Sequence, residues 1–192
     1  MPEGIIAVCA SGPSLCCDDI YRLRDHKIPV ITVNSSWMIY PECQYIFAGD
    51  DVWWANNYHL VHSQAQRWTC SKKAAQKYGI NYFERAIEGS FNSGMMAILL
   101  AISLGAVDII LLGFDCSLEK GLHWHGKHSG LNNPTGHSIR RWKTEFEILT
   151  SKKYQGVNIV NCTPETRLTC FQCATLETRL QRIKILSQTC RQ

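Results

Sequence analysis

Five short segments of this chain are almost entirely apolar, and they constrain its fold more than any other feature. The segments are Ile5–Cys9, Val30–Val33, Tyr45–Ala48, Ile109–Leu112 and Val157–Asn161. A strand that is apolar on both faces must be covered on both sides, which is typical of parallel sheets. The pattern therefore predicts a mostly parallel sheet between two layers of helices.

Helical patterns alternate with these strands along the chain. The predicted helices are Leu15–Arg24, Trp53–His62, Ser93–Leu104, Ser138–Tyr154 and Thr175–Gln192. Alternating strands and helices predict an α/β protein with a Rossmann-like three-layer fold. We expect one domain over residues 1–180, with residues 181–192 as a C-terminal helix or tail.

Composition excludes several classes of protein. Of 192 residues, 45% are hydrophobic and 19% are charged, which is ordinary for a globular chain. No run of about 18 apolar residues occurs, so we expect no membrane span. No basic region precedes the first strand, so we expect no secretory signal. Ten cysteines without paired C-x-x-C motifs predict free thiols in a reducing cytoplasm.

The charge of the chain bears on its partners. The formal net charge of +4 is mild and suits an anionic small molecule such as a nucleotide. The Lys and Arg residues are scattered, so nucleic acid is not excluded as a partner but is not indicated. The sequence leaves the oligomeric state open, including a homo-oligomer.

The loops that follow the predicted strands are rich in small and polar residues. In open α/β sheets, ligands bind at the carboxyl ends of the strands. We therefore expect one binding site to be formed by Ala10–Ser14, Asn34–Trp37, Gly49–Asp51 and Gly113–Ser117.

The first of these loops has the composition of a phosphate-binding turn. Gly12 allows a ligand to approach the backbone, and Pro13 suits the first turn of a helix. The hydroxyls of Ser11 and Ser14, with the N–H groups at a helix start, suit an anion. A capped turn without a ligand explains the same residues, and the loop matches neither G-x-G-x-x-G nor a P-loop.

A glycine-rich and histidine-rich segment precedes the fourth predicted helix. It has little periodicity, and we predict a functional loop or lid over about residues 117–136. Three functions are open for its polar side chains: metal ligation, contact with a phosphate or substrate, or a solvent-facing loop anchored by Trp124. The side chains concerned are His123, His125, Lys127 and His128.

Several motifs together resemble two related families. The run Ala10–Leu15 (ASGPSL) resembles the G-x-G-P-S-L loop of bacterial family-42 sialyltransferases and of 6-hydroxymethylpterin diphosphokinase-like proteins. The segments Asn92–Met96, Ala101–Gly105 and Ile109–Asp115 resemble their S-G-x-x-M, A-x-x-L-G and I-x-L-x-G-x-D motifs in order and spacing.

Three further segments resemble the sialyltransferases. They are Thr32–Asn34 at the second strand end, Gly136–Ser138 (GHS) and Asn161–Leu168 (NCTPETRL). The resemblance implies a transferase with a nucleotide-activated donor, most simply a glycosyl donor, and a hydroxyl acceptor. It implies His137 as general base, a role that suits the histidine pKa. It implies contacts to the nucleotide or its phosphate from Ser11, Gly12, Pro13, Ser14, Asn34, Asp50, Ser93, Gly94 and Asp115.

The chain also departs from the sialyltransferase pattern. Ser117 stands where those enzymes have a tyrosine, and the lid segment is shorter and lacks tyrosine. Two alternatives therefore stay open: an ATP diphosphokinase acting on a hydroxymethyl group, and an inactive nucleotide-binding module. The diphosphokinase would need Mg²⁺, held by Asp50, Asp51 or Asp115. A histidine metal site would instead use His123, His125 and His128. Compact chains of this type resemble phage proteins, for which modification of a nucleotide or nucleic acid is a further hypothesis.

Overall fold

The computed structural model describes residues 4–85, 92–126 and 133–189. Within these ranges the chain forms eight strands. They are β1 (Ile5–Cys9), β2 (Val30–Val33), β3 (Tyr45–Phe47), β4 (Gln66–Thr69), β5 (Asn81–Tyr82), β6 (Asp108–Leu112), β7 (Asn158–Asn161) and β8 (Gln172–Cys173).

All eight strands belong to one parallel sheet with the order β5-β4-β3-β2-β1-β6-β7-β8. The strand order reverses at β1, which pairs with β2 on one side and with β6 on the other. Cys9 lies opposite both Thr32 and Leu112, so the three strands end at the same level. Their following loops therefore leave the sheet at one edge, where open α/β sheets bind ligands.

Six α-helices cover the sheet in the described part of the chain. They are α1 (Cys17–Asp25), α2 (Asp51–Asn57), α3 (Lys72–Tyr78), α4 (Ser93–Ser103), α5 (Gly136–Glu147) and α6 (Leu176–Thr189). Short 3-10 segments follow β2, α2 and α5, at Asn34–Met38, Tyr58–Leu60, Ile148–Thr150 and Lys152–Tyr154.

Alternate residues of the central strands supply two separate cores. Ile6 and Val8 of β1 pack on the face covered by α4 and α5. Ala7 and Cys9 pack on the opposite face, with α1, α2, α3 and α6. Successive side chains of a strand point to opposite faces, so a fully apolar strand can serve both cores. The predicted three-layer α/β fold is confirmed.

The sequence predicted the central strands well and the outer ones poorly. All five apolar segments form strands with ends within one residue of those predicted. The edge strands β4, β5 and β8 and helix α3 were not predicted, because β4 is polar and β5 and β8 have two residues each. Helix α1 begins at Cys17 rather than Leu15, so Pro13 does not occupy a first helical turn.

The first turns of helix α6 pack on the sheet. Leu176, Leu180 and Ile183 are buried in the core, and the buried Arg179 pairs with Asp108 at the start of β6. The boundary expected at residue 180 thus falls inside this helix. No helix of the described residues is long and apolar enough to cross a membrane.

The nine cysteines of the described residues are free. Cys9 and Cys162 are buried, as expected for thiols inside apolar strands. Burial raises the pKa of Cys162 to about 12 and that of Cys170 to about 11. A raised pKa disfavours the reactive thiolate, so these side chains behave as small apolar residues.

Helix α4 is the most buried helix, with every side chain from Met95 to Ala101 inside the core. We expect Ile98→Ala, at a position that is 0% exposed, to lower the free energy of unfolding by about 2–5 kcal/mol. The control Leu60→Ala removes a side chain that is 55% exposed and should change it by less than about 0.5 kcal/mol. Urea denaturation measures both. Equal effects would contradict this account of the core.

Candidate functional site

A cleft of about 790 Å³ opens at the carboxyl edge of the sheet. The loops after β1, β2, β3 and β6, the start of α4 and one face of α5 line it. The predicted site residues that line the cleft are Ser11, Gly12, Pro13, Asn34, Asp50, Asp51, Ser93, Gly94, Asp115 and His123. Ser14, His125 and His137 are outside this lining, and Lys127 and His128 lie outside the described residues.

The loops after β1 and β6 are packed together through two glycines. The Gly12 N–H donates to the Gly113 carbonyl over 2.9 Å. A Cβ on Gly12 would overlap the Asp115 carboxylate, and one on Gly113, whose φ is +71°, would overlap the Ala10 carbonyl. Glycine at both positions is therefore required for this close approach.

Asp115 occupies the position at which the sequence predicted a phosphate. Its Oδ1 accepts from the Ser14 N–H at 3.2 Å, and its Oδ2 accepts from the Ser14 hydroxyl at 2.8 Å. The anion-binding groups of Ser14 thus serve a carboxylate of the protein itself. Because two anions cannot share these donors, a ligand phosphate would need other N–H groups.

The segment after β7 holds Asp115 in place. The Arg167 N–H donates to the Asp115 carbonyl at 2.8 Å. The Thr163 hydroxyl accepts from the Phe114 N–H at 2.9 Å, and the Thr166 hydroxyl donates to the Phe114 carbonyl at 2.7 Å. Cys116, which follows, has a φ of +48°, a conformation that is uncommon for a residue with a side chain. The Asp115 backbone is therefore tightly defined.

The electrostatic environment of Asp115 is unusual for a carboxylate. The residue is only 7% exposed, and none of the ion pairs among the described residues includes it. Burial raises the pKa of Asp115, against the opposing effect of the hydrogen bonds from Ser14. A desolvated carboxyl group with a raised pKa, in a cleft, is a candidate functional group.

Ser11 connects the ends of β1 and β2. Its hydroxyl donates to the Val33 carbonyl and lies 3.1 Å from the Ser36 Oγ. Ser36 in turn donates to the Ala10 carbonyl. The hydroxyl proton of Ser11 is used inside the protein, and its oxygen keeps acceptor capacity.

Asn34 and Trp53 each place a buried polar atom in the lining residues of the cleft. Asn34 follows β2 with a φ of +51°, and its Oδ1 is buried without a hydrogen-bond partner in the described part of the chain. The same is true of the indole N–H of Trp53, a cleft residue that is 1% exposed. Buried polar atoms nearly always have partners in protein, water or a ligand, so this acceptor and this donor are available to a bound molecule.

The carboxylates of the loop after β3 each have a local partner. Asp50 caps α2, and its Oδ1 accepts from the Trp53 N–H at 2.8 Å. Asp51 pairs with Lys73 at 2.8 Å, and this hydrogen bond lowers the pKa of Asp51. Across residues 4–85, 92–126 and 133–189, no three His, Cys, Asp or Glu side chains are arranged to hold a metal ion.

The start of α4 faces the cleft with its amide groups. Asn92 caps the helix by accepting from the Met95 N–H at 3.1 Å, and the Ser93 hydroxyl accepts from the Gly49 N–H at 3.1 Å. The N–H groups of Ser93 and Gly94 precede the first intrahelical hydrogen bonds. The positive end of the helix dipole therefore lies at the cleft and favours an anion.

The histidine segment is anchored by its tryptophan. The backbone N–H of Trp124 donates to the Ser11 carbonyl at 3.1 Å, and the Trp124 side chain packs against the core that contains Ala7 and Cys9. The rings of His123 and His125 stack with centroids 5.1 Å apart, and His123 lines the cleft.

His137 lies in the first turn of α5, where its side chain is exposed. The adjacent Ser138 completes a capping box with Thr135. Ser138, Arg141 and Trp142 of α5 line the cleft. His137 is four residues before Arg141 and so lies next to it on the helix surface, but it is not itself part of the lining.

Comparison of the chain with protein-family models, curated proteins and solved structures finds no match. The likeness to the sialyltransferases and diphosphokinases therefore rests on the motifs in the sequence.

Sequence reasoning missed two components of the site. Arg141, a cation of the cleft lining that lies 3.5 Å from Glu145, was not singled out. Its spacing from Ser138 and Trp142 along the helix was the available signal. The pairing of Ser14 with Asp115 had no sequence signal.

We expect Asp115→Asn to raise the free energy of unfolding at pH 7. The raised pKa of Asp115 means that ionisation favours the unfolded chain, so removing the charge removes this cost. The gain in the free energy of unfolding should be complete at pH values above the raised Asp115 pKa. It should disappear as the pH falls below 3.8, the ordinary pKa of an aspartate. Urea denaturation from pH 3.5 to 7 measures it.

The control is Asp25→Asn, an exposed carboxylate in α1, which should change stability by less than about 0.5 kcal/mol at each pH. A less stable Asp115→Asn protein at pH 7 would contradict the electrostatic account.

Proposed function

We propose that this chain is a transferase that binds a nucleotide-linked donor in the cleft and transfers its glycosyl group to a hydroxyl acceptor. The observation that carries the proposal is that the start of α4 and Asn34, whose buried oxygen has no partner among the described residues, line the same cleft. The motif resemblance supports the same class of reaction.

The cleft suits a nucleotide in size and polarity. Its volume of about 790 Å³ is within the usual range for small-molecule sites. The Ser93 and Gly94 N–H groups would bind the donor phosphate, and Arg141, which pairs with Glu145, supplies a guanidinium to the same lining. The Asn34 oxygen would accept from a base amino group or a ribose hydroxyl, and the indole N–H of Trp53 would donate to the ligand.

The proposal assigns two tasks to the protein, which are stabilisation of the leaving phosphate and removal of one proton. As the bond to the donor phosphate breaks, negative charge grows on the phosphate, and fixed backbone dipoles at the α4 N-terminus would stabilise it. The resemblance assigns removal of the acceptor's proton to His137. That assignment stays a prediction.

The Mg²⁺-dependent diphosphokinase is the second candidate. The observation that favours it is the presence of three carboxylates, Asp50, Asp51 and Asp115, in one cleft lining. Divalent cations bridge the phosphates of ATP and are held by carboxylates in such enzymes. It would bind ATP only together with Mg²⁺, whereas the glycosyl transferase would bind its nucleotide without metal.

Thermal shift measurements with CMP, CDP, UDP, GDP, AMP and ATP, each with and without Mg²⁺, distinguish these functions. A ligand at about 100 times its Kd adds about 2.7 kcal/mol of stability. For a chain of this size, that raises Tm by about 5–10 °C. We expect CMP or CDP to act without metal. Stabilisation by ATP with Mg²⁺ alone would support the diphosphokinase, and a flat panel would contradict both.

We expect Asn34→Gly to lose most of the nucleotide-dependent rise in Tm. The change removes the unpartnered amide, and glycine accepts the positive φ without strain, so the ligand-free Tm should change little. The matched control is Asn56→Ala, an exposed position of α2 outside the cleft lining. An unchanged rise in Asn34→Gly would remove Asn34 from the site.

A further inference from the structure

We propose that the surface formed by α3 and the strands β4 and β5 binds a single-stranded nucleic acid. We call this surface the basic edge and define it by the side chains of Arg67, Lys72, Lys73, Lys77 and Tyr82. The proposal goes beyond the transferase function and does not depend on it. It is carried by the concentration of the net charge of the chain on this edge and by an exposed tyrosine ring among the cations.

The net positive charge of the chain arises in one segment. Residues 52–83 contain four Lys and Arg residues and no Asp or Glu. The whole chain has 20 Lys and Arg and 16 Asp and Glu, so the chain without these four cations has 16 of each and is formally neutral. An anionic polymer is therefore attracted to this segment more than to the rest of the surface.

The fold gathers the four cations at one end of the sheet. Strand β4 carries Arg67 and pairs with β5, the last strand in the order. Helix α3 connects the two strands and carries Lys72, Lys73 and Lys77, whose side chains are all exposed. Residues four apart share a helix face, so Lys73 and Lys77 form one row of positive charge along α3.

Stacked aromatic rings hold two of the cations in place. The rings of Tyr58 and Tyr78 stack with their centroids 4.5 Å apart. The Arg67 guanidinium carbon lies 5.0 Å from the centroid of Tyr58, and the Lys77 Nζ lies 5.1 Å from that of Tyr78. A cation–π contact positions a cation without neutralising it, so both positive charges persist at the basic edge.

The carboxylates that border the basic edge leave most of its charge uncompensated. Asp51 pairs with Lys73 at 2.8 Å, and Glu84 is exposed just after β5. None of the ion pairs among the described residues includes Arg67, Lys72 or Lys77. Because Asp51 also lines the cleft, the basic edge begins at the rim of the cleft.

Tyr82 identifies the kind of anionic polymer that fits this surface. Its side chain on β5 is 38% exposed, and the Lys72 Nζ lies 5.7 Å from the centroid of its ring. Proteins that bind single strands combine cations along the backbone path with aromatic rings on which bases stack. A base inside a duplex is already stacked between its neighbours, and an acidic polypeptide has no base. The exposed ring beside Lys72 therefore favours a single strand.

Fluorescence anisotropy with a labelled oligothymidylate of about 16 nucleotides, without any nucleotide sugar, tests the cations. Contacts to phosphate from Arg67, Lys72 and Lys77 predict a slope of log K against log salt of about −2. Binding should thus weaken about 20-fold between about 50 and 200 mM NaCl. The double variant Lys72→Gln/Lys77→Gln should bind about 10–100-fold more weakly at the lower salt, with a slope of about −0.7.

The matched control is Lys152→Gln/Lys153→Gln, which removes two exposed lysines that follow α5. Lys153 also lies over a tyrosine ring, 5.3 Å from the centroid of Tyr154. This variant should bind as the wild type does, and both double variants should keep the wild-type Tm because their side chains are exposed. Equal losses of affinity in the two double variants, or no binding by the wild type, would overturn the proposal.

Substitutions of Tyr82 test the stacked base. Tyr82→Leu should weaken oligothymidylate binding by about 5–100-fold, whereas Tyr82→Phe keeps the ring and should bind as the wild type does. Equal binding by Tyr82→Leu and the wild type would overturn the proposal. So would displacement of the label by poly-L-glutamate as readily as by unlabelled oligothymidylate, which indicates an acidic polypeptide, or tighter binding of a DNA duplex. The proposed transferase is tested separately by the thermal shift measurements, so either proposal can fail alone.

Discussion

The contact between the loops after β1 and β6 is the constraint on which the site depends. Gly12 and Gly113 allow the two backbones to hydrogen-bond at a distance that no side chain permits. The contact brings Asp115 against Ser14 and places both loops at the floor of the cleft. Because the strand order reverses at this junction, the same contact defines where the sheet can open to a ligand.

The two cores keep this edge in place. Each central strand contributes alternate side chains to both faces, so β1 and β6 are held from two sides. Helix α4 is buried along nearly its whole length, which fixes the direction of its axis and of its dipole. Packing of the helix body therefore determines where its first residues, Ser93 and Gly94, line the cleft.

The fold can be predicted from the sequence in those segments where burial on both faces requires apolar residues. The central strands are apolar on both faces and could be predicted, and so could the loops that follow them. The edge strands β4, β5 and β8 are polar or very short, so no pattern marks them. Ser14 and Asp115 are 101 residues apart, and only the pairing of β1 with β6 brings them together. Phosphate binding by Ser14 was a reasonable prediction from local composition, because the competing carboxylate is not local.

Two aspartates near opposite ends of β6 differ in the partners of their carboxylates. Asp108, at the start of the strand, pairs with the buried Arg179 and accepts from the Asn158 amide, so its charge is compensated within the fold. Asp115, three residues beyond the end of the same strand, has hydrogen bonds from Ser14 and is in no ion pair among the described residues. A buried carboxylate without an ion-pair partner costs stability, and the hydrogen bonds from Ser14 offset part of that cost for Asp115. The unpartnered Asn34 oxygen lines the same cleft as Asp115. Asp115 and Asn34 both lie at the carboxyl edge of the sheet, whereas the pair of Asp108 with Arg179 lies at the opposite edge.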